Sequence, residues 1–372
     1  MTAPSARLLM TADAVGGVWT YALDAAAGLA RAGVATSLVV FGPSPGVDQV
    51  VEALAVPRLT LIDTNLPLDW MASEPAELLE CAAALRGLAR AQRADLIHLN
   101  SPALAALGGF PVPVVGACHS CLATWWSAVG EGPMPTDFRW RTQSLWQGVL
   151  ACQALVAPTA AFAKATARAY ELPRPLVVHN GRRSASPLLA SSREAMVFTS
   201  GRLWDQGKNV GILDAAAALI EAPVLAAGPL QGPNGERRSL AHARPLGRLP
   251  APEVAAWLAR APIFVSAAIY EPFGLGVLEA AQAGCALVLS DIASFRELWD
   301  GAALFADPRD PHGFASACNQ LLKDPDHAAR LGRAARVRAA RYTVEAMCSG
   351  LLEIYHQLDP VRFAASLREA AA

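Results

Sequence analysis

The chain has 372 residues, of which 53% are hydrophobic and 17% are charged, with 31 basic residues against 32 acidic ones. Its length exceeds the roughly 250–300 residues at which a single hydrophobic core stops growing, so two domains are expected. The high hydrophobicity excludes a disordered chain, and a net charge of −1 excludes nucleic-acid or anionic-membrane binding by bulk electrostatics. An anionic ligand must therefore be met by a few placed cations.

The N-terminal residues and the cysteines predict a cytoplasmic protein. Residues 1–9 contain one arginine and no apolar run long enough for a signal peptide. The longest uncharged segment, 96–130, contains prolines and glycines that exclude a single membrane-spanning helix. Seven cysteines without a regular framework are typical of reduced thiols. We therefore expect a cytoplasmic location and no strong membrane anchor.

Short apolar runs alternate with helical patterns along the chain, which predicts an α/β protein. The strands predicted in the first half are 7–12, 36–41, 59–63, 95–100, 112–117, 154–158 and 176–179. Those in the second half are 195–200, 224–228, 245–247, 263–267, 286–290 and 303–305. Predicted helices include 21–32, 76–91, 210–220, 275–283 and a last stretch over 344–371. Continuously apolar strands favour a parallel sheet with helices on both faces.

The best internal boundary is the segment 180–193, where glycine, arginine, serine and proline interrupt the apolar pattern. We therefore predict two doubly wound, Rossmann-like domains, residues 1–183 and 184–345, followed by a helical segment, residues 346–372. In sheets of this kind a ligand binds at the carboxyl ends of the strands.

The most informative segment is 270–280, between a predicted strand and a predicted helix. Gly274 and Gly276 allow a ligand to approach the backbone, and the free N–H groups at a helix start favour an anion. Glu271 precedes the helix, while Glu279 leans back toward the same end. The two carboxylates are spaced to hold hydroxyl groups at either end of a long ligand. The alternative is a loop charge and a solvated helix residue.

A second strand–helix junction in the same half carries cations. Arg202 can bind a phosphate through two nitrogens, and Lys208 adds a point charge. Alone these two would be ordinary surface cations. With the glutamate segment they predict an anion site formed by two consecutive junctions. In the first half, Gly16-Gly17 follow a strand but lack the full G-x-G-x-x-G fingerprint.

These motifs together resemble the retaining glycosyltransferases of family 4, which have the GT-B fold. The resemblance implies two Rossmann-like domains facing across a deep cleft, with a C-terminal helix packing back on the N-terminal domain. It also implies that the N-terminal domain binds the acceptor and that the C-terminal domain binds the nucleotide-sugar donor. The residues that carry it are Gly16-Gly17-Val18, His119, Asn180-Gly181, Gly201-Arg202-Leu203 with Lys208, and Glu271-Pro272-Phe273-Gly274 with Glu279.

The resemblance further implies roles for single residues. Arg202 and Lys208 would bind the donor pyrophosphate, Glu271 the donor sugar and Glu279 the ribose. Lys208 stands six residues after Arg202, one more than the commoner spacing, and Gly207 would absorb the extra residue. The catalytic residues implied are Glu271, Arg202, Lys208 and His119. The further donor-binding residues implied are Gly16, Gly17, Phe273, Gly274, Leu275, Glu279 and, beside the nucleobase, Arg248 and Leu249.

Two other signals carry simpler interpretations. Asp324 and Asp326 have the D-x-D spacing of a metal site, but they precede a predicted helix and are explained as helix caps. Cys118 and Cys121 have C-x-x-C spacing without a second pair to complete a zinc site. The surrounding pattern also predicts no thioredoxin-like helix start for them.

Trp125-Trp126 lies between His119 and a glycine- and proline-rich stretch. It is predicted to form a loop over the cleft, whose rings stack on the acceptor or touch an interface.

The sequence therefore predicts a metal-independent enzyme that moves a hexosyl group from a nucleoside diphosphate sugar to an acceptor hydroxyl with retained configuration. The donor is a co-substrate, and no separate cofactor is expected. The acceptor is an unidentified sugar, glycan, lipid-linked or small molecule. The alternatives are a non-catalytic sugar-nucleotide-binding partner protein and a GT-B-fold sugar-nucleotide epimerase.

Overall fold

The computed structural model describes residues 6–183, 193–233 and 235–371, and the chain divides into two compact units. The first unit comprises residues 1–181 and 344–372, and the second comprises residues 182–343. Both boundaries lie two residues from the domain limits expected from the sequence. Residues 184–192 of the predicted boundary segment lie outside the described residues.

The first unit contains a parallel sheet flanked by helices. In chain order its elements up to residue 177 are β1 (Arg7–Ala12), α1 (Gly17–Arg31), β2 (Ala35–Val40), α2 (Val47–Leu54), β3 (Leu59–Asp63), α3 (Pro75–Ala91), β4 (Leu96–Leu99), β5 (Val114–Ala117), α4 (Leu122–Val129), α5 (Thr136–Ala151), β6 (Ala154–Ala157), α6 (Ala160–Tyr170) and β7 (Leu176–Val177). The seven strands lie in the order β3-β2-β1-β4-β5-β6-β7. Met10 of β1 lies beside both Leu38 of β2 and His98 of β4, so the order reverses between β1 and β4.

The second unit repeats this plan with six parallel strands. Its elements are β8 (Val197–Ser200), α7 (Val210–Ala217), β9 (Val224–Ala227), β10 (Arg244–Gly247), α8 (Ala251–Arg260), β11 (Ile263–Ser266), α9 (Leu275–Gln282), β12 (Ala286–Ser290), α10 (Ala293–Trp299), β13 (Ala303–Ala306), α11 (Pro311–Lys323) and α12 (Pro325–Ala339). The strands lie in the order β10-β9-β8-β11-β12-β13, which reverses between β8 and β11. Every residue of β9 and β12 is buried, whereas three of the four residues of β10, at the sheet edge, are exposed.

The last segment packs on the first unit. Helix α13 (Val344–Leu358) contacts α1 so closely that a Cβ on Gly28 would lie 2.4 Å from the Cys348 sulfur. Helix α14 (Pro360–Ala371) follows, with Phe363 fully buried against Tyr355. The helical stretch expected over 344–371 is confirmed, but it divides at Asp359 into two helices. Pro360 has no N–H to continue the ladder, and the carboxylate of Asp359 accepts from the Arg362 N–H to start the new helix.

One correction concerns the tryptophan pair. Trp125 and Trp126 were expected in a loop, but they lie in helix α4. Both rings meet Phe138 of α5 edge-on, with centroids 6.2 and 5.7 Å away. Gly130, which ends α4, comes only after eight residues, so the segment that contains both tryptophans is long enough to form two helical turns.

Among the described residues, no helix is long and apolar enough to cross a membrane.

Candidate functional site

The glutamate segment lies at the carboxyl end of β11, next to the strand-order reversal of the second unit. Gly274 has φ +90° and is the N-cap of α9, and a Cβ there would lie 3.2 Å from Cε1 of Phe295. The hydroxyl of Ser294 donates to the Glu271 carbonyl and ties the turn down. The first N–H groups of α9 are therefore held open at a fixed turn, which suits an anion.

The cation segment follows β8, the neighbouring strand. A Cβ on Gly228, after β9, would lie 1.8 Å from the Gly201 carbonyl oxygen, so only glycine lets these two turns touch. Arg202 donates to Asp205 over 3.0 Å, and its guanidinium lies 5.7 Å from the ring centre of Trp204. Asp205 also accepts from the N–H of Gly207 at 2.8 Å. These contacts orient Arg202 while leaving its side chain 42% exposed.

The two segments meet in an ion pair between Lys208 and Glu271. The backbone joins them as well, because the Gly207 carbonyl accepts from the N–H of Ile269 at 2.9 Å. The Asn209 amide donates to the Ala267 carbonyl at 2.9 Å. The extra residue in the Arg202–Lys208 spacing is thus accommodated in a short 3-10 turn, Gln206–Lys208, and the lysine still reaches the glutamate segment.

Glu279 is paired as well. Its carboxylate accepts from Nε of Arg182 at 2.7 Å, and Gln282 donates to the Arg182 carbonyl at 3.0 Å. Arg182 was not singled out from the sequence. We call the ion pairs Arg202–Asp205, Lys208–Glu271 and Arg182–Glu279 the charged group of the second unit.

The other residues expected at the donor have mixed surroundings. The Phe273 side chain is buried against Tyr342, so only its backbone is available to a ligand. Leu275 begins α9 and is partly buried. Arg248 is exposed directly after β10, whereas Leu249 packs on the hydrophobic core of this unit.

In the first unit, the turn after β1 is held by Asp13. Its carboxylate accepts from the N–H groups of Val15 and Gly16, at 2.9 and 3.2 Å. Gly16 is then the N-cap of α1, and Gly17 is exposed at the helix start. The turn lies at the strand-order reversal between β1 and β4.

His119 follows β5 and belongs to a hydrogen-bonded group without formal charges. Its Nε2 lies 2.8 Å from Oδ1 of Asn100, and its ring meets Tyr21 edge-on at 4.4 Å. Beneath it, the buried His98 contacts the Tyr21 hydroxyl at 3.4 Å and the Tyr355 hydroxyl at 2.7 Å. We call Tyr21, His98, Asn100, His119 and Tyr355 the neutral group of the first unit.

Burial sets the protonation of this group. It lowers the pKa of His98 to about 4, and burial together with the neighbouring His98 lowers the pKa of His119 to about 3. It also raises the pKa of both tyrosines. All four side chains are therefore uncharged near pH 7. Tyr355, which lies more than 200 residues from His98, was not expected here from the sequence.

Cys121 lies at a helix start that the sequence did not predict, whereas Cys118 directly follows β5. Cys121 is the N-cap of α4, and its sulfur lies 2.9 Å from the Thr124 hydroxyl oxygen. Burial acts to raise the pKa of Cys121, but hydrogen bonds from Cys118 and Thr124 outweigh it and lower that pKa to about 7. Helix α4 was not predicted from the sequence, so the position of Cys121 at its start was not predicted either.

The D-x-D residues act as expected for a helix cap. Asp324 accepts from the His327 N–H at 2.8 Å at the start of α12. In the described part of the chain, no group of three or more His, Cys, Asp and Glu side chains is placed to hold a metal ion. Metal independence stays a prediction.

Comparison with known proteins identifies two family domains. Residues 15–183 match the model of Glycosyltransferase Family 4, and residues 194–324 match the model of Glycosyl transferases group 1. Among curated relatives, a glycogen synthase of Mycobacterium tuberculosis is 42% identical over 105 residues, which are 28% of this chain and 25% of the relative. A D-inositol 3-phosphate glycosyltransferase of Thermobispora bispora is 32% identical over 108 residues, again 28% and 25% of the two chains. The chain thus matches about a quarter of the length of these relatives.

Solved structures match nearly the whole fold. Sucrose-phosphate synthase from Thermosynechococcus elongatus has a TM-score of 0.76 at 19% identity, covering 95% of this chain and 99% of that one. HepE from Anabaena, solved with UDP-glucose, has a TM-score of 0.70 at 18% identity, covering 95% and 100%. These matches show the GT-B fold. The chain therefore belongs to the glycosyltransferases, with a Glycosyltransferase Family 4 domain followed by a Glycosyl transferases group 1 domain.

Proposed function

We propose that the chain transfers a hexosyl group from a nucleoside diphosphate sugar to an acceptor hydroxyl, with retained anomeric configuration and without a metal ion. The observation that carries this proposal is the ion pair of Lys208 with Glu271. It brings a cation for a diphosphate and an acceptor for sugar hydroxyls to the reversal point of one sheet. HepE, which shares the fold, is solved with UDP-glucose, and this supports a donor of the same class.

The leaving diphosphate is the group that most needs stabilising. Arg202, Lys208 and the open N–H groups at the start of α9 supply fixed positive charge, and charge preorganised in this way lowers the barrier to bond breaking. Lys208 has three hydrogens, so it can keep its contact with Glu271 while donating to phosphate. These residues take the place of a metal ion in the proposed reaction.

The two glutamates of the charged group would bind hydroxyl groups of the donor. Glu271 would accept from the sugar and Glu279 from the ribose. The first unit would choose the acceptor, with Trp125 and Trp126 as its aromatic surface. His119 would meet the donor sugar, and the Gly16-Gly17 turn would meet the phosphates. In the proposed front-face displacement, the bond from the anomeric carbon to the phosphate oxygen breaks as the acceptor oxygen bonds to that carbon. The leaving phosphate oxygen takes the acceptor proton.

The test is a thermal-shift screen across UDP-, GDP- and ADP-sugars, followed by product analysis with the best binder. The expected result is a transferred sugar with the donor's anomeric configuration by NMR, formed at the same rate in excess EDTA. Donor binding without transfer or hydrolysis would indicate a non-catalytic binding protein. A free epimerised nucleotide sugar would indicate an epimerase, and an inverted product would contradict the retaining mechanism.

A further inference from the structure

Asn100 lies at the carboxyl end of β4, and all polar groups of its side chain are engaged. Its Nδ2 donates to the Thr11 carbonyl at 2.6 Å, and its Oδ1 lies 2.8 Å from Nε2 of His119. Its backbone N–H donates to the Thr11 hydroxyl at 2.9 Å. Asn100 therefore bridges the end of β1 to His119, which lies two residues after the end of β5.

These contacts fix the direction of each hydrogen bond. A backbone carbonyl only accepts, so the NH₂ of Asn100 must face Thr11, and the amide oxygen must face His119. An amide oxygen also only accepts. Nε2 of His119 therefore carries the hydrogen.

A neutral imidazole carries one hydrogen, on either of its two ring nitrogens. Burial, with His98 beside it, lowers the pKa of His119 to about 3, so the ring is neutral at physiological pH. Tyr21 of α1 and His98 of β4 are the titratable groups that the structure places against the ring, and both are uncharged. Cys118 and Cys121 flank it along the chain.

Nδ1 is consequently a bare acceptor. It has no hydrogen-bond partner within the described residues, and His119 is partly exposed. A group that accepts and cannot donate discriminates between ligands, since a sugar hydroxyl has a hydrogen to offer and an ionised phosphate oxygen has none.

We propose that Asn100 is a positioning residue that holds His119 as its Nε2–H tautomer, so that Nδ1 accepts a hydrogen bond from a hydroxyl of the sugar substrate. This inference rests on the proposed sugar transfer. It assigns His119 to hydroxyl recognition and leaves the phosphates to the Gly16-Gly17 turn and the charged group of the second unit.

The first test is nitrogen-15 NMR of the full chain labelled at histidine. The His119 signals are identified by their loss in His119→Gln. The expected result is a neutral ring with hydrogen on Nε2 at every pH between 5 and 8. Hydrogen on Nδ1, or a ring that titrates within that range, would overturn the proposal, and this measurement needs no variant of Asn100.

The second test uses Asn100→Asp, which replaces the amide by a carboxylate. An anionic partner favours the imidazolium, so the pKa of His119 should rise from about 3 to about 5 or 6. Below that pKa, Nδ1 carries a hydrogen and cannot accept. Sugar transfer should therefore fall about tenfold per pH unit on the acid side, tracking the pKa seen by NMR, and recover at higher pH.

The matched control is Asn319→Asp in the second unit. Asn319 likewise bridges a carbonyl and an N–H, of Leu219 and Glu221, and its variant should keep the wild-type pH profile. If Asn100→Asp loses activity equally at all pH values, Asn100 has only a structural role and the proposal is wrong. Absence of sugar transfer in the wild-type chain would refute the proposed function, whereas the NMR result still decides the tautomer.

Discussion

The two units carry the same strand plan and place opposite kinds of chemistry at the same position in it. At the reversal between β8 and β11, the second unit has ion pairs whose side chains are partly exposed, such as Lys208–Glu271. At the reversal between β1 and β4, the first unit has the Asp13 carboxylate, which accepts from backbone N–H groups of its own turn, and beside it neutral side chains joined by hydrogen bonds, such as His98 with Tyr355. The difference indicates a division of labour. The fixed cations of the second unit suit phosphates, and the uncharged donors and acceptors of the first unit suit hydroxyl groups.

The largest effect is expected on turnover, from variants of the charged group of the second unit. Arg202→Ala and Lys208→Ala should each lower turnover by roughly 10²–10³-fold, since each removes one preorganised cation from the leaving diphosphate. The measurement is initial rate at saturating donor.

Both variants have matched controls. Arg260, like Arg202, pairs with a carboxylate and lies against a tryptophan, and Lys323, like Lys208, pairs with a glutamate. Arg260→Ala and Lys323→Ala should keep wild-type turnover. Near-wild-type rates in Arg202→Ala and Lys208→Ala would show that the leaving-group assignment is wrong.

The second-largest effect is expected on the affinity for a nucleoside diphosphate. Glu279→Ala removes a charged acceptor for ribose hydroxyls, which is worth ~1.5–3 kcal/mol, or roughly 10–150-fold in Kd. Calorimetry of nucleoside diphosphate binding measures it. Trp125→Ala should leave this affinity unchanged and raise the KM for the acceptor. A Trp125 variant that loses nucleotide affinity while Glu279→Ala keeps it would reverse the roles of the two units.

The neutral group predicts a pH dependence of stability. The pKa of His98 is about 4 in the folded chain, below its ordinary value of 6.5, so the unfolded chain binds more protons between these values. Stability is therefore lost as the pH falls below 6.5, by about 2 kcal/mol from this group at pH 5.

Urea unfolding of the first unit at pH 7 and pH 5 measures this loss. His98→Gln should lose less stability over that interval than the wild type, and His242→Gln, at an exposed position, should behave as the wild type. An unchanged pH dependence in His98→Gln would mean that His98 is not held neutral.

The smallest effect is expected from Asp324 and Asp326. Asp324→Asn with Asp326→Asn should leave transfer activity unchanged, with a slight loss in melting temperature from the weaker cap of α12. Loss of activity in this variant, or on chelation with recovery in Mn²⁺ or Mg²⁺, would contradict the metal-independent reaction.

The sequence predicted the strands because each is a short apolar run bounded by polar or turn residues. It also located the glutamate and cation segments, because both follow such runs. Helix α4 was missed because its eight residues contain no charge to mark a polar face and lie close to glycines and prolines. The break at Pro360 was missed because the helical pattern resumes at once on its far side.

The contacts that set protonation could not be read from the sequence. Tyr355 meets His98 across 257 positions and Arg182 meets Glu279 across 97, so both depend on how distant elements pack. Asn100 had one usable signal, since it stands at the carboxyl end of a predicted strand. Its partnership with His119 required the knowledge that β4 and β5 are neighbours.

The division between charged and neutral groups is tested most directly by calorimetry of a nucleoside diphosphate, without its sugar, against Lys208→Ala and His119→Gln. The account predicts that Lys208→Ala weakens this binding at least tenfold, because the lysine contacts phosphate. It predicts that His119→Gln binds the nucleotide as tightly as the wild type while sugar transfer is impaired. A His119 variant that loses the nucleotide, together with a Lys208 variant that keeps it, would contradict the account.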